Sequence, residues 1–262
     1  MGVVTQLGIQ LHQLLFQRIP LTLAIIPGLI VTSAGERFAI PQALHDRGLR
    51  RYGFHGLSYE SIAAQLAAQQ PALAAGRVVV AHLGNGASMC GMAGGCSVAT
   101  TMSFSPLDGL SSGTRCGRID PGLVLHLVQR EGMPAADVER LLSRDSGWLG
   151  LSGLSSDMRT LLASDEPAAR FTLDHLVEQV LRELAGLAAA LRGLDALVFT
   201  GGVGENAAAL RERVIDGAAW MGLTLDAQAN QRVPGCITAP LECTAEPTST
   251  ERVGSKTASS DT

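Results

Sequence analysis

Two side chains able to stabilise anionic chemistry sit in glycine-flanked loops. His55 lies in Arg51-Tyr52-Gly53-Phe54-His55-Gly56, and Arg115 in Gly113-Thr114-Arg115-Cys116-Gly117. Phosphoryl transfer needs positive donors around the equatorial oxygens of the moving group, and an arginine can supply two parallel N–H bonds. A lone His or Arg is more often structural, so the neighbouring patterns matter. His82-Leu83-Gly84-Asn85-Gly86-Ala87-Ser88 is a Gly-Asn-Gly turn whose backbone amides could hold phosphate oxygens; read alone, it is equally a plain hairpin turn. Phe199-Thr200-Gly201-Gly202-Val203-Gly204-Glu205-Asn206 reads as strand, glycine turn and helix, an arrangement that lets backbone approach a ligand and offers free N–H groups to anions. Ser156-Asp157-Met158-Arg159 reads by itself as a charge pair at a helix start.

In this order and spacing the five stretches resemble the acetate kinase family, ATP-dependent kinases of short carboxylic acids, over about Gly35 to Gly235. The resemblance implies an α/β, ribonuclease H-like (actin-like ATPase) fold with a mixed sheet flanked by helices, forming essentially the C-terminal half of a two-domain kinase. It implies transfer of phosphate from ATP to acetate, giving acetyl phosphate and ADP, with Mg²⁺ as the metal. His55 and Arg115 become transition-state stabilisers. His82, Leu83, Gly84, Asn85 and Gly86 become the loop that holds the ATP phosphates. Asp157, Met158 and Arg159 become nucleotide contacts, and Gly201, Gly202, Val203, Gly204, Glu205 and Asn206 the adenosine-binding turn. The partners implied are acetate or acetyl phosphate and an adenine nucleotide, and a homodimer fits the family.

The flanks depart from the pattern. The family's opening strand, with an asparagine metal ligand and phosphate-contacting serines, has no counterpart, nor does its substrate-contacting arginine. Its catalytic aspartate precedes the matched region, and no aspartate precedes Asp46 here. At the other end the metal-binding glutamate position falls on Thr250, within Pro247-Thr248-Ser249-Thr250-Glu251-Arg252. No metal ligand is therefore assigned. A frameshifted or fragmentary reading frame at both ends is the expectation, which finding the missing motifs in frame on resequencing would bear on. Two alternatives stay open: a nucleotide-binding remnant without catalysis, or a propionate or butyrate kinase.

Composition bounds the partners. The 262 residues carry a net charge of −4, which supplies no basic field for nucleic acid or an anionic membrane. Lys256 is the one lysine among 20 cationic residues, so the matched region contains no lysine phosphate ligand. Five cysteines stand at 90, 96, 116, 236 and 243 without zinc-ligand spacing, and a reduced, cytoplasmic setting fits them. The apolar run Ile19 to Val31 imitates a leader, but it starts late, is broken by Pro20 and Pro27, and is too short to span a bilayer.

The elements that must position these motifs follow from periodicity. Residues 1–35 form an unmatched segment, 36–235 the nucleotide-binding domain, and 236–262 a polar tail too poor in apolar residues to order itself. Helices are expected over Pro41 to Arg50, over Ser58 to Gln69 with Ser58 as N-cap, over Pro121 to Gln129 after Asp120, over Ala135 to Ser143, over Phe171 to Arg192 and over Glu205 to Met221. Strands are expected over Arg77 to Leu83, Ala87 to Met92, Cys96 to Met102 and Leu194 to Thr200, the first three as a meander turning at Asn85-Gly86 and at Gly94-Gly95. A missing partner half should leave an apolar face exposed and favour self-association.

Overall fold

The computed structural model describes residue 35, residues 37–232 and the backbone of 237–240. Expectations for the leader-like run and the polar tail fall outside these residues. Five strands form one mixed sheet: β1 (Arg77–Leu83), β2 (Ala87–Ala93), β3 (Cys96–Thr100), β4 (Ala196–Thr200) and β5 (Ile237–Pro240) in the order β3-β2-β1-β4-β5. β1 and β4 are parallel; the other neighbours are antiparallel. The mixed sheet flanked by helices is the expected fold class.

β1 is apolar on both sides because both faces are covered. Its odd residues Val79, Ala81 and Leu83, with Leu197 and Phe199 of β4, pack on α8 (Pro167–Leu191) through Leu176, Val180 and Leu184 in the larger core. Its even residues Val78 and Val80, with Ala196 and Val198, pack on α2 (Gly56–Gln69) through Tyr59, Ile62 and Leu66 in a smaller one. The period-2 alternation thus assigns each strand residue to a layer. His82 is even-numbered, so it falls on the α2 side.

Several boundaries differ from the sequence expectation. The first helix, α1, is shorter (Gln42–Asp46). α2 begins at Gly56, not Ser58, and His55 itself is the N-cap, in the left-handed region at φ 62°. Ser58 does not cap; its hydroxyl is 2.9 Å from His82 Nδ1. The β1–β2 turn is a three-residue connection closed by Gly84 N–H donating to the Gly86 carbonyl at 3.1 Å, and neither Asn85 nor Gly86 uses positive φ. The positive-φ pair is instead Gly94-Gly95, between β2 and β3. The expected helix from Glu205 to Met221 is three pieces: α9 (Gly201–Asn206), α10 (Ala208–Gly217) and a 3-10 turn (Ala219–Met221). α9 therefore starts at the glycine turn itself.

Between β3 and α8 lie α4 (Pro121–Gln129), α5 (Ala135–Arg144), α6 (Gly147–Ser152) and α7 (Met158–Leu162), after the short α3 (Pro71–Ala74) that precedes β1. Asp120 caps α4, its side chain accepting from Gly122 N–H, which is the entry role expected for Asp120-Pro121. α4 buries no residue and exposes Leu123, Leu125 and Val128. Among the described residues no helix is long and apolar enough to cross a membrane.

Candidate functional site

Because β1 and β4 are parallel neighbours, the turns that follow them emerge at the same end of the sheet. A methyl group built on Gly201, which has φ 81°, would lie 2.7 Å from the Leu83 carbonyl and 3.3 Å from His82 Nε2. Only glycine permits this approach and this backbone conformation. Leu83 and Gly204 are buried beneath the turns. Glu205 holds the turn from within, accepting from Thr200 Oγ1 at 3.0 Å and from Gly201 N–H at 3.1 Å.

The two turns and α7 enclose a cleft of about 590 Å³ lined by Gly84, Asn85, Asp157, Met158, Arg159, Leu162, Gly202, Val203, Asn206 and Ala207. That volume suits a nucleotide-sized ligand. Asp157 caps α7, accepting from the Arg159 backbone N–H at 2.9 Å and pairing with its guanidinium at 2.6 Å. The helix-start charge pair and the cleft wall are thus the same residues. Arg159 holds the Asp157 carboxyl below its usual range through that side-chain hydrogen bond.

His55 and Arg115 meet beyond the cleft, on the other side of Gly86. A methyl on Gly86 would stand 3.3 Å from both Arg115 Nη1 and His55 Nε2, so one point beside that glycine lies within reach of both donors. The Arg115 loop is pinned by backbone: Ser112 N–H to the Arg115 carbonyl, Cys116 N–H to Leu142, Ser146 N–H to Thr114, and Trp148 N–H to Ser112. The Arg115 guanidinium is half-buried, and burial lowers its pKa. Among the described residues its side chain has no hydrogen bond and no carboxylate partner. A desolvated, uncompensated cation is costly unless an anion arrives to pair with it.

The imidazoles of His55 and His82 stand 4.4 Å apart. Burial, then His82, then Arg115 lower the His55 pKa to about 4; burial outweighs the nearby Glu205 in lowering His82. Both rings are therefore neutral donors or acceptors at neutral pH. Since the folded state resists protonating His55, its contribution to stability is complete above pH 6.5 and is lost as pH falls toward 4. The shift corresponds to at most about 3 kcal/mol. Urea melts between those pH values should show stability falling with acid, and His55→Gln should flatten that slope.

Some participants were not legible beforehand. Arg211 is buried at 1% exposure, and its guanidinium donates to the Gly204 and Glu205 carbonyls, each at 2.9 Å, and to Asn230 Oδ1 and the Asn230 carbonyl, each at 2.7 Å. It thereby satisfies the C-terminal carbonyls of α9. Its acidic neighbour in sequence, Glu212, is not among these partners, so the charge pattern gives no signal of them. Ser88 contacts His55 and Tyr59 contacts Ser88, and in the sequence they show only as the end of a turn motif and a helix residue.

The space beside Gly86 yields a prediction. Gly86→Ala should fill the point shared by Arg115 and His55 and weaken phosphate-anion binding there by about tenfold or more, with little loss of stability. Phosphate titration and thermal melts on the same preparation check both halves.

Among the described residues no group of three His, Cys, Asp or Glu side chains converges to hold a metal ion.

A family model described as the acetokinase family matches residues 30–241. The chain is 58% identical over 206 residues to an acetate kinase of Rhodopseudomonas palustris (strain TIE-1), covering 78% of this chain and 52% of that protein. It is 56% identical over 193 residues to an acetate kinase of Methylocella silvestris, covering 74% and 48%. The crystal structure of Porphyromonas gingivalis acetate kinase superposes with a TM-score of 0.74 at 34% identity, over 80% of this chain and 55% of that one. A Francisella tularensis propionate kinase superposes at 0.71 and 37% identity, over 76% and 53%. The chain spans about half the length of the curated relatives it matches.

Proposed function

This chain belongs to the acetokinase family, and from that premise we propose that it serves reversible phosphoryl transfer between ATP and acetate, supplying the nucleotide-side wall of the active site. The observation that carries the reading is Arg115: a half-buried guanidinium without a side-chain hydrogen bond or carboxylate partner among the described residues, converging with His55 Nε2 on one point beside a glycine turn. Such a point suits an equatorial phosphoryl oxygen better than any neutral ligand.

The nucleotide occupies the cleft between the two glycine turns, its phosphates running along the Gly84-Asn85-Gly86 backbone toward Arg115. A carboxylate oxygen of acetate attacks the γ-phosphorus; the new O–P bond forms as the bond to the ADP oxygen breaks. Acetate is already ionised at neutral pH, so no base is required. His55 and Arg115 donate to oxygens whose charge shifts during transfer, and the α7 pair Asp157-Arg159 and the backbone of 201–206 hold the nucleoside end. Mg²⁺ is the family's metal and would supply charge neutralisation between phosphates, through ligands other than a cluster among the described residues.

Incubation with ATP, Mg²⁺ and acetate, with acyl phosphate trapped by hydroxylamine, tests the proposal. Trapped acetyl hydroxamate supports it. Nucleotide binding without hydroxamate from any short acid overturns it in favour of a binding role. The similarity to a propionate kinase makes the acid itself a question; competition among acetate, propionate and butyrate ranks them by kcat/KM.

A further inference from the structure

We propose that Tyr59 and Ser88 are positioning residues that hold His55 as its Nε2–H tautomer, so that the ring faces the transferred group as a neutral donor. The purpose of this device rests on the phosphoryl-transfer reading; its test does not.

Tyr59 lies one helical turn after His55, on the first turn of α2, and Ser88 lies in β2 opposite His82. Both are buried, Tyr59 at 1% and Ser88 at 0% exposure. The Tyr59 hydroxyl contacts Ser88 Oγ, and Ser88 Oγ lies 2.7 Å from His55 Nδ1. Neither hydroxyl has another side-chain or backbone partner among the described residues.

Each hydroxyl has one hydrogen to donate. If Ser88 donated to Tyr59, the phenol hydrogen would be buried without an acceptor. If Tyr59 and His55 Nδ1–H both donated to Ser88, the serine hydrogen would be stranded. One arrangement leaves no buried O–H unsatisfied: Tyr59 donates to Ser88, and Ser88 donates to His55 Nδ1. An unmade buried bond is the expensive outcome, so this direction is selected. Nδ1 is then an acceptor, and the ring hydrogen resides on Nε2, which points to the Gly86 and Arg115 side.

The buried groups around the ring agree. Burial pushes the Tyr59 phenol well above its ordinary pKa, so it stays a donor, and burial pushes the neighbouring Cys90 thiol up to about 11. The other groups that bear on His55 are the His82 ring and the Arg115 cation. None is an anion that would draw a proton onto Nδ1. The Arg115 cation on the Nε2 side favours a lone pair there, so the relay through Ser88 has to outweigh it. The opposite tautomer would turn Nε2 into an acceptor and leave no ring donor for an incoming phosphoryl oxygen.

The test is long-range ¹⁵N–¹H correlation on the ligand-free full chain with ¹⁵N-labelled histidine at neutral pH. His55 signals are assigned by their loss in His55→Asn, and His175, remote from the network, reports that each variant is folded. In the natural chain we expect Nε2 to resonate as pyrrole-type and Nδ1 as pyridine-type, with this tautomer in about tenfold excess, the value of one net hydrogen bond. Tyr59→Phe keeps the ring and removes the first donor; Ser88→Ala removes the relay. Each should bring the two tautomers to within about threefold of each other. A pyrrole-type Nδ1 in the natural chain, or a ratio unchanged by both variants, overturns the proposal. Nε2–H without acyl phosphate formation would leave it standing and overturn the phosphoryl-transfer reading instead.

Discussion

Arg115→Ala should lower kcat by about 10³-fold or more while the KM for ATP changes little, because the proposed function calls upon the guanidinium in the transition state rather than in nucleotide binding. The structure adds a second, opposite expectation. Arg115 is half-buried with no carboxylate partner among the described residues. In the ligand-free protein it is a cost, so the alanine variant should melt at the same or a higher temperature than the natural chain. Loss of turnover together with retained or raised stability separates a catalytic arginine from a structural one. Arg115→Lys keeps a charge but not the planar fork, and should recover only part of the rate. Equal kcat in the alanine variant, measured by hydroxylamine trapping, would show the role to be wrong.

Arg211→Ala should do the reverse: it should unfold the protein's site rather than disable it. The side chain is buried and makes four hydrogen bonds, none to a carboxylate, tying the end of α9 to Asn230 in α11 (Ala227–Arg232). Truncation leaves a cavity and several buried carbonyl oxygens without donors. Together these cost roughly 3–5 kcal/mol. At about 2–4 °C per kcal/mol for a chain of this size, the melting temperature should fall by about 10 °C. Nucleotide affinity should fall with it, since Gly202, Val203 and Asn206 of α9 line the cleft. Calorimetry and nucleotide titration on one preparation check both; an unchanged melting temperature would mean that α9 does not depend on this anchor.

The contrast between these two arginines shows what a sequence can carry. Arg115 is legible because it stands between two glycines and because its loop stands in register with four other motifs. Arg211 was not, because its partners are backbone carbonyls and an asparagine 19 residues away, which leave no charge pattern to read. The strands were legible from their apolar runs, and Pro121–Gln129 was bounded by its own signals, an Asp cap and a Pro at the first position. Ser58 shows the limit. Its identity and place suit an N-cap, but tertiary structure gave that position to His55 in a left-handed conformation and turned the serine toward His82. Likewise Asn85-Gly86 carries the composition of a positive-φ hairpin, yet the turn closes without it, against a loop so near that a methyl on Gly113 would lie 2.1 Å from Asn85 Oδ1. Local propensity fixes what a segment can do; the neighbour across the site decides what it does.

The sheet's two faces carry unequal loads. The cleft between the glycine turns rests on the larger core through Met158 and Ala207, whereas His55, Tyr59 and their helix rest on the smaller one, built from nine buried residues among those described. Layers with less buried apolar surface open at lower free energy. Under mild denaturant or warming, amide exchange should accelerate along α2 before it does along α8, in a partly opened form that keeps its grip on nucleotide while its histidines have left. For such a protein the ability to bind ATP would outlast the ability to use it, and a preparation judged sound by nucleotide retention could already have lost its chemistry.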